Sequence, residues 1–222
     1  MSAWRNAATE AQVLLARHGR TAVNAQARLS GRHNPDLDDL GRRQAVALGA
    51  AVATVAGPDV TIVSSPLRRC LQTAGEVVEA CGADRASVFV DDRFVEMDYG
   101  EWDGRPLADV PADTWRQWRA DPDFHPPGGE TLTSVTARVA EGLTQWAPRA
   151  GGGTLVVVSH VSPIKAGVIW ALGVGESATW RMRLDNASIC RLAATAGADG
   201  AVHGSLRTFN ETAHLRGLES RA

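Results

Sequence analysis

Two histidines and two arginines stand where short apolar runs of the sequence end. Arg17 and His18 directly follow one run, His160 follows another after a single serine, and Arg69 lies six residues beyond a third. In an open α/β sheet the carboxyl ends of neighbouring strands meet at one edge, so these side chains are expected to converge. Positive groups gathered in one place repel unless an anion joins them, which predicts a phosphate pocket. Imidazole can itself be phosphorylated, and His18 is therefore our candidate nucleophile.

A serine and a proline follow the second and third runs, each at the start of a helical pattern. We predict that Ser65 and Ser162 cap these helices, with Pro66 and Pro163 in the first helical position. The N–H groups and the positive dipole end of such helix starts make candidate anion sites. Arg69 is expected in the first turn of its helix, off the apolar face.

A leaving alcohol needs a proton, and the segment after residue 95 carries four carboxylates. Glu96 follows the strand-like stretch 89–95, which places it nearest the predicted pocket, so we take it as the candidate general acid. Asp98, Glu101 and Asp103 are expected to face solvent. The residues by themselves leave this choice open.

The elements that position these residues follow an alternating order of strands and helices. Three apolar runs are rich in β-branched residues and do not alternate with polar ones, as in central strands covered on both faces. An amphipathic pattern over residues 40–55 follows the first run and begins at Asp38 or Asp39. The predicted fold is α/β, a three-layer sandwich whose mostly parallel central sheet carries helices on both faces. The runs are residues 12–16, 60–63 and 154–158.

A stretch rich in Trp, Pro, Gly and Asp interrupts this order at about residues 97–130. We predict a small, partly helical flap, inserted into a single domain that covers residues 1–222. Four aromatic residues of the flap either grip an aromatic substrate or pack the flap on the domain. The last dozen residues are predicted to form a mobile tail. The four aromatic residues are Trp102, Trp115, Trp118 and Phe124.

The composition excludes several classes of function. The chain of 222 residues has 23 Lys and Arg against 25 Asp and Glu, so it has no basic excess for binding nucleic acid or an anionic membrane. No apolar run is long enough to cross a bilayer, from which we predict a cytoplasmic protein. Cys70, Cys81 and Cys190 lack the paired spacing of a zinc site and are expected to be packing residues. Neither a metal nor a cofactor is predicted.

These motifs together resemble the histidine phosphatase superfamily, which also contains cofactor-dependent phosphoglycerate mutase. The resemblance spans nearly the whole chain and implies a phosphoglycerate mutase-like fold. It also implies metal-independent hydrolysis of small phosphomonoesters. The matching blocks are Arg17-His18-Gly19-x-Thr21 with Asn24, Ser30-Gly31 with Leu40-Gly41, Ser64-Ser65-Pro66-Leu67-x-Arg69 with Gln72-Thr73-Ala74, Glu96 with Gly100-x-Trp102-x-Gly104, Pro127-Gly128-Gly129-Glu130, and Ser159-His160.

The resemblance implies a role for each matching residue. His18 becomes phosphohistidine, Arg17, Arg69 and His160 hold the phosphoryl group, and Glu96 protonates the leaving group. The implied substrate-binding residues are Asn24, Ser30, Gly31 and Val161.

Two positions depart from the family pattern. Many members have Glu where Arg20 stands, so the rim of the pocket is predicted to be more positive and to favour substrates with a second anionic group. Many members have Gly where Val161 stands, but a backbone N–H remains available there.

Three stretches resemble most closely the α-ribazole-phosphatase-like acid phosphatase domain that occurs fused to ribonuclease H in actinobacteria. No ribonuclease H domain is expected in this chain, and the resemblance therefore predicts a stand-alone phosphatase. The stretches are residues 30–37, 126–130 and 158–165.

Two other functions fit the same fold. A cofactor-dependent phosphoglycerate mutase must hold a phosphorylated product and exclude water, which calls for extra cations. Apart from Arg105, the flap carries only Arg116 and Arg119. A catalytically silent module that binds a phosphorylated ligand would keep the fold without the chemistry. We expect hydrolysis, with a small phosphomonoester as the partner, and the resemblance also allows a homodimer.

Overall fold

A mixed sheet forms the middle layer of the computed structural model, which describes residues 10–57, 59–84 and 87–218. Within these residues the sheet has six strands in the order β3-β2-β4-β1-β5-β6. The first four pair in parallel, and β5 and β6 are added antiparallel beyond β1. The strands are β1 (Glu10–Arg17), β2 (Val60–Ser64), β3 (Val88–Val90), β4 (Thr154–Ser159), β5 (Ile189–Ala196) and β6 (Val202–Glu211).

Helices cover both faces of this sheet. Leu14 and Ala16 of β1 point into a core shared with α2 and α3, whereas Val13 and Leu15 point into a core shared with α5 and α6. Successive strand residues face opposite sides, so one apolar strand serves two cores. The predicted three-layer α/β fold is confirmed. The helices are α1 (Ala22–Ala25), α2 (Asp39–Ala56), α3 (Arg68–Cys81), α4 (Ala112–Ala120), α5 (Leu132–Arg149) and α6 (Val161–Leu172).

The helix after β1 begins as its sequence indicates. Asp38 is the N-cap of α2, and its Oδ1 accepts the N–H of Gly41 at 2.7 Å. Asp39 lies in the first turn, where a carboxylate complements the helix dipole.

The stretch predicted as a strand over residues 89–95 is a strand only as far as Val90. Asp91 turns the chain, because its side chain accepts the N–H of Arg93 and caps a short 3₁₀ helix, Asp92–Phe94. Residue 96 therefore lies on an irregular segment and does not follow a strand end.

The carboxyl-terminal part contains two strands, β5 and β6, that the sequence pattern did not indicate. Beyond β6, a 3₁₀ turn, Ala213–Leu215, is anchored where His214 Nε2 lies 2.8 Å from the carbonyl oxygen of Ala187. The predicted mobile tail is therefore wrong for residues 211–218. Residues 219–222 lie outside the described part of the chain.

The predicted serine caps of α3 and α6 are wrong. Leu67 and His160 are the N-caps, and neither makes a side-chain capping hydrogen bond. The hydroxyl of Ser65 is instead bonded to the His160 ring, and Ser162 is already the second residue of α6.

Among the described residues, no helix combines the length and the apolar composition that crossing a bilayer requires. All three cysteines have free thiols, with Cys70 and Cys190 buried in the cores. The extent of the domain beyond the described ranges stays a prediction.

Candidate active site

The parallel register brings the predicted phosphate-binding residues to one edge of the sheet. Arg17, the last residue of β1, lies opposite Ser159, the last residue of β4. His18 and His160 therefore leave the sheet side by side, and their ring centroids lie 5.1 Å apart. Arg69, the second residue of α3, is buried at the same edge. The predicted convergence of these residues is what the structure has.

The His18 ring is held in one tautomer. Its Nδ1 lies 2.7 Å from the carbonyl oxygen of Gly19, which can only accept, so Nδ1 carries the proton and Nε2 has a free lone pair. Burial and the charges of Arg69 and Arg17 hold the pKa of His18 well below 6.5. The ring is thus neutral near neutral pH, with the lone pair of Nε2 available.

Gly19 is required by a close approach of two backbone segments. A Cβ at this position would lie 2.3 Å from the carbonyl oxygen of Gly41 at the start of α2. A Cβ on Gly41 would in turn lie 1.9 Å from the carbonyl oxygen of Arg20. Both glycines therefore allow the same close contact, in which the start of α2 packs against the turn that carries His18.

Two buried polar groups beside His18 have no partner among the described residues. Arg17 donates from Nη1 to the carbonyl oxygen of Leu184 at 2.6 Å, but its Nε is unpaired. Burial lowers the pKa of Arg17, yet a guanidinium stays protonated at neutral pH. The Ser30 hydroxyl is also unpaired. Since buried polar groups normally have partners, this pair indicates a binding site for an oxygen-rich ligand.

Arg69 binds backbone carbonyls beside the pocket and the His160 ring. Its Nη1 donates to the carbonyl oxygen of His33 at 2.6 Å, its Nη2 donates to that of Gly31 at 2.9 Å, and its Nε donates to His160 Nδ1 at 3.1 Å. The predicted place in the first turn is confirmed, but the prediction that Arg69 lies off the apolar face is wrong, because the side chain is fully buried on the same face as Thr73 and Val77. Direct contact with a phosphoryl group stays a prediction.

His160 is fixed on both sides of its ring. Its Nε2 lies 2.7 Å from the Ser65 hydroxyl and its Nδ1 accepts from Arg69. The Cys70 thiol lies 3.3 Å from Nε2, and burial raises its pKa to about 12, so it is an uncharged neighbour. Burial and the nearby Arg69 and His18 hold the pKa of His160 well below 6.5. An anion beside the arginines would offset part of this lowering of the pKa and so favour the protonated ring, which donates hydrogen bonds.

Glu96 enters the same site from the irregular segment. Its Oε1 accepts the N–H of Met97 at 2.7 Å and that of Ser162 at 3.2 Å, in the first turn of α6. The carboxyl is buried, and no donor among the described residues reaches Oε2. One oxygen is thus anchored, and the other has no donor among the described residues.

The other carboxylates of this segment hold backbone rather than substrate. Asp103 accepts the N–H of Gly31 at 2.8 Å and that of His33 at 2.6 Å, and half-buried Asp98 accepts the N–H of Gly100. The prediction that Asp98 and Asp103 face solvent is wrong, because they tie the loops around the pocket. Glu101 is exposed as predicted.

A cavity of about 230 Å³ joins His18 and Glu96. Larger open grooves of about 550 and 750 Å³ lie elsewhere, and neither has His18 or Glu96 in its lining. The lining also includes an apolar wall, which suits the carbon part of an ester. That wall comprises Ala27, Leu29, Leu107 and Val161.

Ala27, Leu29 and Leu107 of this wall come from two paired stretches of chain, whereas Val161 comes from α6. Leu29 donates its N–H to the carbonyl oxygen of Arg105 at 2.8 Å and accepts from Gly104 at 2.9 Å. Leu107 donates to the carbonyl oxygen of Ala27 at 2.9 Å. Residues 27–29 and 104–107 thus form a short antiparallel ladder.

The predicted substrate-binding residues divide into two groups. Asn24, Ser30 and Val161 line the cavity, and Asn24 Oδ1 accepts from Thr21 and Asn186. Gly31 does not line it, since its N–H and carbonyl are taken by Asp103 and Arg69.

Arg20 does not make the rim more positive, so that expectation is wrong. Its Nε lies 2.8 Å from Oδ2 of Asp38, which neutralises the charge, and the side chain faces a separate groove. Sequence reasoning missed Tyr99 and Asn186 as lining residues. Tyr99 lies between Glu96 and Gly100 of one matching block, which is a signal for it, whereas Asn186 precedes a strand that was not predicted.

The flap aromatics pack among themselves. The Trp115 and Trp118 rings stack at 5.4 Å, Trp180 contacts both edge-on, and Trp118 is 2% exposed. Neither they nor Trp102 and Phe124 line the cavity. Of the two roles predicted for these residues, the structure therefore has the packing one.

Within the described ranges, no group of three or more His, Cys, Asp or Glu side chains is arranged to hold a metal ion. The expectation that no metal or cofactor is needed stays a prediction.

Relatives of known name share this arrangement of sequence and fold. The chain is 40% identical over 212 residues to the bifunctional protein Rv2228c of Mycobacterium tuberculosis, covering 93% of this chain but only 56% of that protein. It is 37% identical to phosphoserine phosphatase 1 of Hydrogenobacter thermophilus, covering 80% and 83% of the two chains. The structure of a mycobacterial glucosyl-3-phosphoglycerate phosphatase with VO3 superposes with a TM-score of 0.79 at 30% identity, over 91% of this chain and 100% of that one.

The family model described as histidine phosphatase superfamily, branch 1, matches residues 13–203, which include both histidines, both arginines and Glu96. With the strand-end histidine, its two guanidinium neighbours and the cavity carboxyl all in place, this chain belongs to the histidine phosphatase superfamily.

Proposed function

We propose that this protein hydrolyses small phosphomonoesters through a phosphohistidine on His18, without a metal ion. The observation that carries the proposal is the His18 ring itself, which is buried and neutral and has Nδ1 bound to the Gly19 carbonyl oxygen. Its free Nε2 shares one cavity with the free carboxyl oxygen of Glu96. Relatives named as phosphatases support the same activity.

In the first step, Nε2 of His18 attacks phosphorus and the bond from phosphorus to the ester oxygen breaks. Protonated Glu96 gives its proton to the departing oxygen, so an alcohol leaves. Arg17 and Ser30 both line the cavity, and their side chains supply N–H and O–H donors for the phosphoryl oxygens. Donors already in place for the developing charge lower the barrier without reorganisation.

In the second step, water attacks the phosphorus of phosphohistidine. Glu96, now a carboxylate, takes the proton from that water, the bond between phosphorus and nitrogen breaks, and His18 returns to its neutral state. The net reaction converts an ester and water into an alcohol and phosphate. Glu96 ends the cycle protonated, as it began.

Hydrolysis is favoured over phosphoryl transfer to a second alcohol position by the wall that faces the leaving group. From the flap, the cavity receives Tyr99 and Leu107, neither of which is a cation. Arg28 is exposed at the rim. A mutase must retain its phosphorylated product against water, and this wall has little that would do so.

The decisive experiment measures phosphate release from a panel of phosphomonoesters in EDTA, with 3-phosphoglycerate isomerisation assayed alongside. We expect release that is lost in His18→Ala, together with an acid-labile phosphoryl label on the wild-type chain. Isomerisation without net release would replace the proposal by the mutase. Binding of phosphate esters without turnover of any of them would replace it by a silent binding module.

A further inference from the structure

The general acid of the proposed reaction stands on chain that belongs to neither a strand nor an α-helix. Residues 95–99 follow the 3₁₀ helix Asp92–Phe94 and precede the 3₁₀ helix Gly100–Trp102, with no regular element between them. A catalytic carboxyl needs a fixed place, since small displacements reduce proton transfer strongly. Other groups must therefore hold this segment.

Arg138, on the inner face of α5, binds the backbone on the amino-terminal side of the acid. Its Nη1 donates to the carbonyl oxygen of Arg93 at 2.6 Å, and its Nη2 is 3.4 Å from that of Glu96 itself. Only 16% of the Arg138 side chain is exposed. The guanidinium thus bridges two carbonyls three residues apart, which a single ammonium group could not do in the same geometry.

Glu130 binds the backbone on the other side. Its Oε2 accepts the N–H of Asp98 at 2.8 Å, and its own N–H donates to the carbonyl oxygen of Asp98 at 2.9 Å. Glu130 also pairs with Arg138 through both carboxylate oxygens, at 3.0 and 3.1 Å. Burial would raise the pKa of Glu130, but the bonds from Arg138 and the Asp98 N–H outweigh burial and hold it below its usual value.

Gly129, directly before Glu130, and Gly100 make this contact sterically possible. A Cβ on Gly129 would lie 2.6 Å from the carbonyl oxygen of Asp98. Gly100 has a φ of +51°, and a Cβ there would lie 2.1 Å from the carbonyl oxygen of Pro127. The Pro-Gly-Gly-Glu motif therefore docks the chain after the acid against the chain before α5.

We propose that Arg138 and Glu130 are positioning residues for the general acid. One ion pair holds the backbone at residues 93, 96 and 98, on both sides of the carboxyl, and the N–H of Met97 that anchors Oε1 lies between these points. Loss of the fork-shaped guanidinium lets the Glu96 carboxyl move while His18 keeps its place. The inference rests on the proposed hydrolysis.

Arg138→Lys tests it, because the charge remains and the fork is lost. The measurement is kcat/KM for an alkyl phosphate, whose leaving group needs a proton, against p-nitrophenyl phosphate, whose leaving group needs little. General acid catalysis supplies about 100- to 10,000-fold, and we expect the alkyl ester to lose at least about tenfold while p-nitrophenyl phosphate loses less than about threefold. Glu130→Gln is expected to change the ratio in the same direction, by a smaller factor.

Arg191→Lys is the matched control. Arg191 pairs with Glu211 at 2.8 Å between β5 and β6, with similar partial burial and no contact with the cavity. Its ratio of the two kcat/KM values is expected to stay at the wild-type value.

A ratio unchanged in both Arg138→Lys and Glu130→Gln overturns the positioning role, as do equal losses on the two esters. If Arg138→Lys does not fold, Glu130→Gln decides alone, because it is nearly isosteric while it removes the charge and one of the two accepting oxygens. Wild-type protein that releases phosphate from neither ester would instead overturn the proposed hydrolysis itself.

Discussion

The two halves of the candidate site are held in different ways. His18 continues β1, with its N–H bonded to the carbonyl oxygen of Ser159 and its own carbonyl accepting from Ala187. Glu96 has no neighbouring strand, and side chains secure its segment: the Arg138 fork and the Ser159 hydroxyl, which donates to the carbonyl oxygen of Phe94 at 2.6 Å. Main-chain bonds thus hold His18 in place, whereas side-chain bonds supply much of the hold on the segment that carries Glu96. Substitutions near His18 should therefore act mainly on folding, and those near Glu96 on one chemical step.

The largest expected effect is that of His18→Ala. The substitution removes the nucleophile and leaves the main-chain bonds of the turn in place, so turnover of every ester should fall to background while the thermal midpoint is retained. Phosphate release and thermal unfolding are the two measurements. His203→Ala, at an exposed position on β6, is the control. Release within about tenfold of wild type, smaller than the loss expected of a removed catalytic group, would break the assignment.

Glu96→Gln should be selective where His18→Ala is not. Glutamine keeps the acceptor for the N–H groups of Met97 and Ser162 but cannot donate an acidic proton. We expect kcat/KM to fall by about 100-fold or more for an alkyl phosphate and much less for p-nitrophenyl phosphate. Exposed Glu101→Gln is the control from the same segment. Equal losses on both esters would show that another group is the acid.

Gly19→Ala probes the half held by the main chain. The new methyl group would meet the Gly41 carbonyl oxygen at 2.3 Å, and neither backbone can move without disturbing β1 or α2. We expect a loss of about 1–3 kcal/mol in the free energy of unfolding, measured by urea denaturation. Gly75→Ala in α3 has open space around its Cβ and should be neutral or stabilising by up to about 1 kcal/mol. A neutral Gly19→Ala would mean that this half is less rigid than the contact implies.

The smallest expected effect concerns pH. His18 and His160 have pKa values held well below 6.5 in the folded protein, so the unfolded chain binds more protons once the pH falls below 6.5. Stability should therefore decrease from pH 7.5 to 5.5, by about 1 kcal/mol for each histidine at the lower limit. Asp91, whose pKa is lowered to about 2, loses its contribution only below about pH 4 and does not affect this window.

Thermal midpoints across this pH range test the assignment. The slope should be shallower in His18→Ala, which removes one of the two buried rings, than in the wild type. An unchanged slope would mean that the His18 ring is already protonated, or exposed, in the folded protein.

The same contrast explains what the sequence could predict. The strand ends that carry His18 and His160 can be predicted from local apolar runs, because parallel strands bring their carboxyl ends to the same edge of the sheet. The sequence favours Glu96 among four carboxylates only through the apolar stretch before it, and the family resemblance strengthens that choice. Its place in the structure depends on Arg138, 42 residues away. Pairings over such separations leave no local pattern.

Other differences have the same physical origin. Ser65 reads as a helix cap, but its hydroxyl is committed to His160, 95 residues away. Arg20 reads as a positive rim, but Asp38 neutralises it. The strand β6 was missed because its buried and exposed positions alternate weakly, with no apolar run. Polar side chains thus form the contacts that composition and periodicity cannot predict.

The ladder between residues 27–29 and 104–107 separates two kinds of evolutionary change. Both of its stretches contribute to the cavity lining, and neither supplies His18, Arg17 or Glu96. Under the proposed hydrolysis, substitutions along the ladder would reshape the cavity around the alcohol and leave the phosphoryl chemistry intact. The choice of ester can therefore change in evolution while the reaction is conserved.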